Sequence, residues 1–263
     1  IIGIALVEWI KHRRQAPASF FASHRITMVS VVLVAALVGF YSLFALRYHP
    51  SLNTPQGEQP EQPMVVENVL ISFQENKTSQ FTETLLGNKQ EPLNFIVEAK
   101  NDAEFISAMN RAGWRLADQA TLASVFTLAK SAIFNENYPT APMTPSFWNA
   151  KVHDFGFEKE TSAQNVKERH HARFWKTNLQ TINGRRVYVG TASFDSGIKW
   201  LVTHKISPDI DTERELLFAD LQNTGLVAIS SKETLVAPVL GENFSGDQFF
   251  SDGRVYLVVL ENR

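Results

Sequence analysis

The chain contains no cysteine among its 263 residues. Disulfides and cysteine-based zinc sites are therefore excluded. The net charge is only -2, so the chain lacks the basic field of a nucleic-acid-binding protein, and no such partner is expected. A glycine-rich phosphate loop, an HExxH zinc motif and a GxSxG nucleophile elbow are also missing from the sequence, and no cofactor or metal is predicted.

Charge is also missing from a long run near the start of the chain. Residues 26–46 read ITMVSVVLVAALVGFYSLFAL, which is about the length needed to cross a ~30 Å hydrocarbon core. The sequence therefore predicts a transmembrane helix over 26–47. Residues 1–10 are apolar too and are interpreted as the end of a preceding membrane helix; an interfacial or buried helix end is the alternative.

The flanks of this run predict its orientation. Residues 11–25 contain four Lys and Arg, whereas the short flank beyond the run offers Arg47 alone. The positive-inside rule places the basic loop 11–25 in the cytoplasm. Residues 48–263 are then expected outside it, on the periplasmic side of a bacterial inner membrane.

Beyond the membrane segment, residues 48–80 are predicted to be a linker with an ordering segment. Residues 49–63 are rich in Pro and Gln, as a tether is, whereas 64–73 are apolar enough to pack on a domain as a strand or helix. Residues 81–263 predict an α+β domain with a largely antiparallel mixed sheet and flanking helices. Helices are expected from Asn101 or Asp102 to Arg111, over 120–134 and over 207–225, the last with a Thr212–Glu215 capping box.

A hairpin is the clearest local prediction. Asn183-Gly184 separates two strand-like stretches, and this dipeptide favours a two-residue turn. That register puts Ala172 opposite Asp195, with His170 diagonal to Asp195 on the same face. A second turn at 195–197 would put His204 opposite Val189, roughly 20 Å from Asp195 at ~3.3 Å per residue. His170 and His204 are then too far apart to share one metal.

The candidate binding residues lie on the first of these strands. Alternation puts Arg169, His171 and Arg173 on one face, and arginines beside an imidazole suit a phosphate or carboxylate ligand. The alternative is that these charges line a solvated face and pair with acids on a neighbouring strand, which would be Glu158, Glu160 or Asp154.

His170 and Asp195 are the candidates for catalysis. A histidine beside a carboxylate can run acid–base or metal-assisted chemistry. The alternative for the pair is a structural hydrogen bond. Similarly, Asp209, Asp211 and Glu213 have the oxygen ligands that hard cations prefer, but a helix N-terminus explains the same acids.

Several stretches together match one known family. They are LLGNKQEPLNF, AGW, YPTAPMTP, RHHARFW, YVGTASFD and PDIDTERELLFADL, which lie between residues 85 and 221 of a resemblance that covers roughly 81–262. In order and spacing the chain resembles the LssY C-terminal domain family. Members of that family often carry this domain after membrane regions of the DedA type or of the phosphatidic-acid-phosphatase type. The resemblance thus implies a membrane-associated partner module in the same chain and no particular reaction.

Two classes of function follow. The first is a membrane-anchored, extracytoplasmic accessory or binding domain of an integral membrane protein that handles lipid phosphates or envelope lipids. The second is a hydrolase, metal-assisted or not, that acts on a phosphorylated envelope substrate through His170 and Asp195.

Overall fold

A computed structural model describes residues 31–32, 34–43, 62–75, 78–84, 86–118, 140, 143–161, 169–199, 203–243 and 246–261. The chain divides into two compact units, Ile1–Asn53 and Thr54–Arg263. In the first unit, residues 31–32 and 34–43 are helical. The rest of the predicted membrane segment 26–47, the segments 1–10 and 11–25, the tether up to residue 61 and the predicted helix over 120–134 lie outside the described residues. No helix in the described ranges is long and apolar enough to cross a membrane.

The second unit contains fifteen strands and three helices within its described residues. The strands are β1 (Met64–Val66), β2 (Phe81–Glu83), β3 (Lys89–Pro92), β4 (Phe95–Ala99), β5 (Arg115–Leu116), β6 (Phe147–Trp148), β7 (Lys151–Val152), β8 (Phe155–Glu160), β9 (Arg169–Thr181), β10 (Arg186–Lys199), β11 (Thr203–Ile206), β12 (Val227–Thr234), β13 (Val239–Glu242), β14 (Gln248–Ser251) and β15 (Arg254–Leu260). The helices are α1 (Val69–Gln74), α2 (Asp102–Arg111) and α3 (Ile210–Asn223).

Nine of these strands form the main sheet. Its order is β12-β15-β4-β10-β9-β8-β5, with β1 beside β9 and β11 beside β10. The β1–β9 and β4–β15 pairs are parallel and the other neighbours are antiparallel. This confirms the predicted α+β fold with a mixed, largely antiparallel sheet. A four-stranded sheet, β3-β2-β6-β7, and the β13–β14 hairpin complete the described part.

The central strands of the main sheet are buried on both sides. One face carries α2 and α3, and we call it the helix face. There Phe105 of α2 and Leu217 of α3 lie in one apolar cluster with Phe174. On its second face, Phe73 of α1 packs in a cluster with Trp175. Neighbouring residues of β9 thus enter different cores, and a polar residue on either face must find a partner inside the protein.

The helix starts follow from local capping. Asn101 caps α2, as predicted, because its side chain accepts a hydrogen bond from Glu104 N. The cap of α3 is Asp209, which accepts from the backbone of Asp211 and Thr212. The predicted Thr212–Glu215 capping box is therefore wrong: the helix begins one turn earlier.

The β9–β10 hairpin does not have the predicted two-residue turn. A type I′ turn needs positive φ at both central residues, but only Gly184, at 76°, has it, and Asn183 does not. Instead Thr181 and Arg185 close a three-residue loop, in which Thr181 N donates to Arg185 O at 2.9 Å.

A bulge in β9 shifts the register again. Between the pairs Arg186–Gln180 and Tyr188–Lys176, β9 contributes two more residues than β10. Thr177 Oγ1 supports the bulge by donating to Val187 O at 2.8 Å and accepting from Leu179 N at 3.0 Å. Together, the three-residue loop and the bulge shift the pairing by an odd number of residues. Side chains of β9 and β10 that were predicted to share a face therefore lie on opposite faces of the sheet.

Candidate functional site

The corrected register changes the partners of the two adjacent histidines. Asp195 is opposite Arg169, and Ser193 is opposite His171. His170 and Asp195 therefore lie on different faces of the sheet, and the prediction that they share one face is wrong. Arg169, His171 and Arg173 still share one face, because alternation along β9 does not depend on the register. It is the second face of the sheet, which also carries Trp175.

Arg169 is held by an acid of the next strand. Its Nη1 forms an ion pair with Glu158 Oε2, and each side chain is 3% exposed. This is the pairing that the alternative interpretation anticipated, except that the pair is buried rather than solvated. Within the described residues, Arg169 Nη2 is buried and has no hydrogen-bond partner.

His171 lies between two carboxylates. Its Nε2 is 2.7 Å from Asp195 Oδ2, and its Nδ1 is 3.7 Å from Glu158 Oε1. Asp195, on β10, and Glu158, on β8, are both buried. Because each ring nitrogen faces a carboxylate, this histidine is placed to stabilise charge and has no ring nitrogen turned away as a base for a substrate.

Glu158, Arg169, His171 and Asp195 together form what we call the buried charge cluster. Burial raises the pKa of the Glu158 carboxyl, whereas His171 and Arg169 act in the opposite direction and Asp195 adds to the rise. Desolvated acids of this kind persist in the interior only with partners of opposite charge. Each charged side chain of the cluster is therefore stabilised in the interior by its oppositely charged neighbours.

Arg173 continues the same face beyond the cluster. It is half-buried, and its Nε donates to Thr144 O at 3.3 Å. Burial raises the pKa of Glu91, and the Arg173 guanidinium acts to lower it. In the described ranges Arg173 forms no ion pair within 4.0 Å, so its charge is less neutralised than that of Arg169.

His170 has a different partner on the helix face. Its Nδ1 lies 2.8 Å from Glu213 Oε2 of α3, and its side chain is 20% exposed. The rings of Trp114 and Phe194 flank the imidazole at centroid distances of 6.2 and 5.0 Å. The opposite residue on β8 is Lys159. The sequence predicts only a helix-terminal or cation-binding role for Glu213. In the structure its carboxylate orients His170.

The second predicted turn is also misplaced. β10 continues to Lys199, and His204 is opposite Ile198 instead of Val189. Asp195 is opposite Ile206, two residues from His204 along β11. The predicted separation of roughly 20 Å between His204 and Asp195 is therefore wrong, because the hairpin turns several residues later than the Ser196-Gly197 dipeptide suggests.

The acids at the start of α3 are engaged in structural contacts. Asp209 is the N-cap, and Asp211 accepts from Asp252 N at 2.6 Å and from Ser251 Oγ at 2.9 Å. Asp211 also pairs with Arg214 at 3.0 Å. These contacts favour the helix N-terminus over a cation site, and among the described side chains no group of three His, Asp or Glu has an arrangement that could hold a metal.

Arg214 was not singled out by the sequence. Its side chain is 1% exposed, and the guanidinium pairs with Glu215 at 2.8 Å and Asp252 at 2.6 Å and donates to Arg254 O at 2.8 Å. The available signal was its position: Arg214 falls on the apolar stripe of α3, three residues before Leu217. It ties α3 to the strands beneath.

Comparison with known proteins gives a family and no close relative. No curated protein and no solved structure matches the chain. The family model described as LssY C-terminus matches residues 75–255, more than two thirds of the 263 residues, and covers the buried charge cluster and α3. The chain therefore belongs to the LssY C-terminal family.

Proposed function

We propose that this chain is a membrane-anchored, extracytoplasmic accessory domain that binds an anionic ligand, such as a lipid phosphate headgroup. It would serve an integral membrane module of the same protein, at the inner membrane of a bacterium. The apolar segment 26–47, its basic flank 11–25 and the membrane modules that often precede such domains support the anchoring and the orientation.

The observation that carries the binding proposal is the orphaned nitrogen of Arg169. A buried guanidinium N–H without an acceptor is costly, and within the described residues Nη2 has none. Arg169 is the first residue of β9. A phosphate oxygen would satisfy this donor, and Arg173 on the same face would add a second guanidinium.

The contacts of His171 favour binding over catalysis. Both of its ring nitrogens face carboxylates, so it stabilises the cluster and is not available to take a proton from a substrate. The candidate binding residues are therefore Arg169 and Arg173, with His171 positioning the cluster.

Binding of dihexanoyl phosphatidic acid to the full chain, measured by isothermal titration calorimetry in detergent, tests this proposal. Arg169→Lys keeps a charge for Glu158 but removes the second guanidinium nitrogen, so binding is expected to weaken roughly 10- to 100-fold. Arg173→Gln should also weaken it. Arg111→Gln, at an exposed residue of α2, is the matched control and should bind normally. If the Arg169 and Arg173 variants both bind as tightly as the unmodified chain, the proposed contact is disproved.

A hydrolase is the second candidate, and the His170–Glu213 pair favours it. When the Glu213 carboxylate accepts a hydrogen bond from Nδ1–H, the Nε2 of this partly exposed imidazole carries the lone pair of a general base. The hydrolase therefore uses His170 with Glu213 and not with Asp195. Phosphate release from phosphatidic acid that His170→Gln abolishes, with the fold retained, would support it.

A further inference from the structure

A polar groove lies on the four-stranded sheet, apart from the residues assigned above. Its walls are β2 with the residues before it, and the turn between β6 and β7 at Asn149. Most of the residues that line it are polar, among them Thr78, Ser79, Gln80, Glu83 and Asn149. Glu83 and Lys89, which are opposite each other on β2 and β3, add one carboxylate and one ammonium, whereas cations dominate a phosphate site.

The turn that forms one wall is fixed in an unfavourable backbone conformation. Asn149 and Ala150 have φ values of 47° and 58°, the left-handed region of a type I′ turn, which alanine rarely adopts. Glu83 Oε1 accepts from Ala150 N, and Asn149 Nδ2 donates to Thr78 Oγ1 at 3.1 Å. Trp148 Nε1 also donates to Ser79 O at 2.9 Å. The wall is thus preorganised by contacts across the groove.

Several acceptors remain for a ligand. In the described part of the chain, Glu83 Oε2 and the amide oxygen of Asn149 accept no hydrogen bond. The Gln80 amide donates to Phe73 O at 3.0 Å, which directs its oxygen away from that contact. Lys89 Nζ lies 3.4 Å above the Phe81 ring, so the groove also offers a cation held in place by that ring.

We propose that this groove binds a neutral sugar ring. Sugar hydroxyls donate to carboxylate and amide oxygens and accept from the lysine ammonium. With one carboxylate and one ammonium the groove has no excess of positive charge for an anion, and one carboxylate is too few for a hard cation. This site is independent of the anionic contact at Arg169 and Arg173.

Titration of the full chain with N,N′-diacetylchitobiose, maltose and lactose tests the inference, with binding followed by saturation-transfer NMR and calorimetry. Asn149→Gly removes the amide while supplying the residue that best tolerates positive φ. Glu83→Gln keeps an acceptor for Ala150 N but removes the charge. Each is expected to weaken the binding of at least one disaccharide by about two- to tenfold.

Ala150→Gly is the matched control, because it places glycine at the neighbouring positive-φ residue without removing a group that lines the groove. It should bind as the unmodified chain does. The inference is overturned if none of the three disaccharides binds at millimolar concentration, or if Asn149→Gly and Glu83→Gln bind as Ala150→Gly does. Phosphatidic acid binding is measured separately, so failure of the sugar site and failure of the proposed function are distinguishable.

Discussion

Replacing Arg169 by methionine probes the buried charge cluster most sharply. Methionine keeps most of the aliphatic volume and removes the charge that faces Glu158. Both side chains of this ion pair are 3% exposed, so solvent cannot replace the missing partner. Breaking a buried pair from one side costs about 3–5 kcal/mol. Typical domains have an unfolding free energy of about 5–15 kcal/mol, so the loss is a large fraction of the total.

The assay is urea denaturation followed by tryptophan fluorescence, since Trp114 and Trp175 are buried. The double variant Glu158→Leu with Arg169→Met removes both charges and should regain most of the loss, because an apolar pair leaves no unpaired ion. Lys232→Met serves as the control. Its ion pair with Glu215 is exposed by 26% and 46%, and exposed pairs contribute about 0–1 kcal/mol.

The loss in Arg169→Met should also depend on pH. Burial already raises the pKa of Glu158, and removing Arg169 raises it further. The folded variant then binds a proton that the unfolded chain does not, so its unfolding free energy rises as pH falls through the folded-state pKa. A loss below about 1 kcal/mol at neutral pH, or no recovery in the double variant, would refute the account of a mutually dependent buried cluster.

Three further changes test the fold around the site. Gly190→Ala should cost about 1–3 kcal/mol in urea denaturation, because its Cβ would stand 2.4 Å from the Phe174 ring; an unchanged midpoint would mean that the ring moves aside. Burial raises the pKa of Asp252, but its hydrogen bond with Arg214 holds that pKa below its ordinary value. The stability that Asp252 contributes is therefore present above the unfolded-state pKa and lost as pH falls, and Asp252→Asn should flatten that part of an acid titration. Thr177→Val should cost about 1–3 kcal/mol by removing both hydrogen bonds of the β9 bulge, and an unchanged thermal midpoint would argue that the bulge needs no such support.

Patterns that depend on near neighbours were predictable from the sequence. Alternation along β9 put Arg169, His171 and Arg173 on one face, and the Asn101 cap gave the start of α2. The β-rich α+β fold and the family followed from stretches that stay in order along the chain. Each of these inferences uses residues that are close in sequence, where periodicity and capping chemistry act directly.

Partners on other strands were not predictable, because they depend on register. In the β9–β10 loop only Gly184 takes positive φ, and Thr177 stabilises a bulge, so the pairing moves by an odd number of residues. Because of that shift, Asp195 contacts His171 instead of His170. Glu213 and Arg214 were hidden for a related reason: their roles appear only when α3 packs on the sheet.

The central claim is that the domain binds an anionic lipid headgroup without transforming it. Dihexanoyl phosphatidic acid incubated with the full chain allows binding and release of inorganic phosphate to be measured in one sample. Saturable binding that Arg169→Lys weakens, without phosphate release above the protein-free rate, is the predicted result. Phosphate release that His170→Gln abolishes and Arg169→Lys leaves intact would contradict the claim and establish the hydrolase instead.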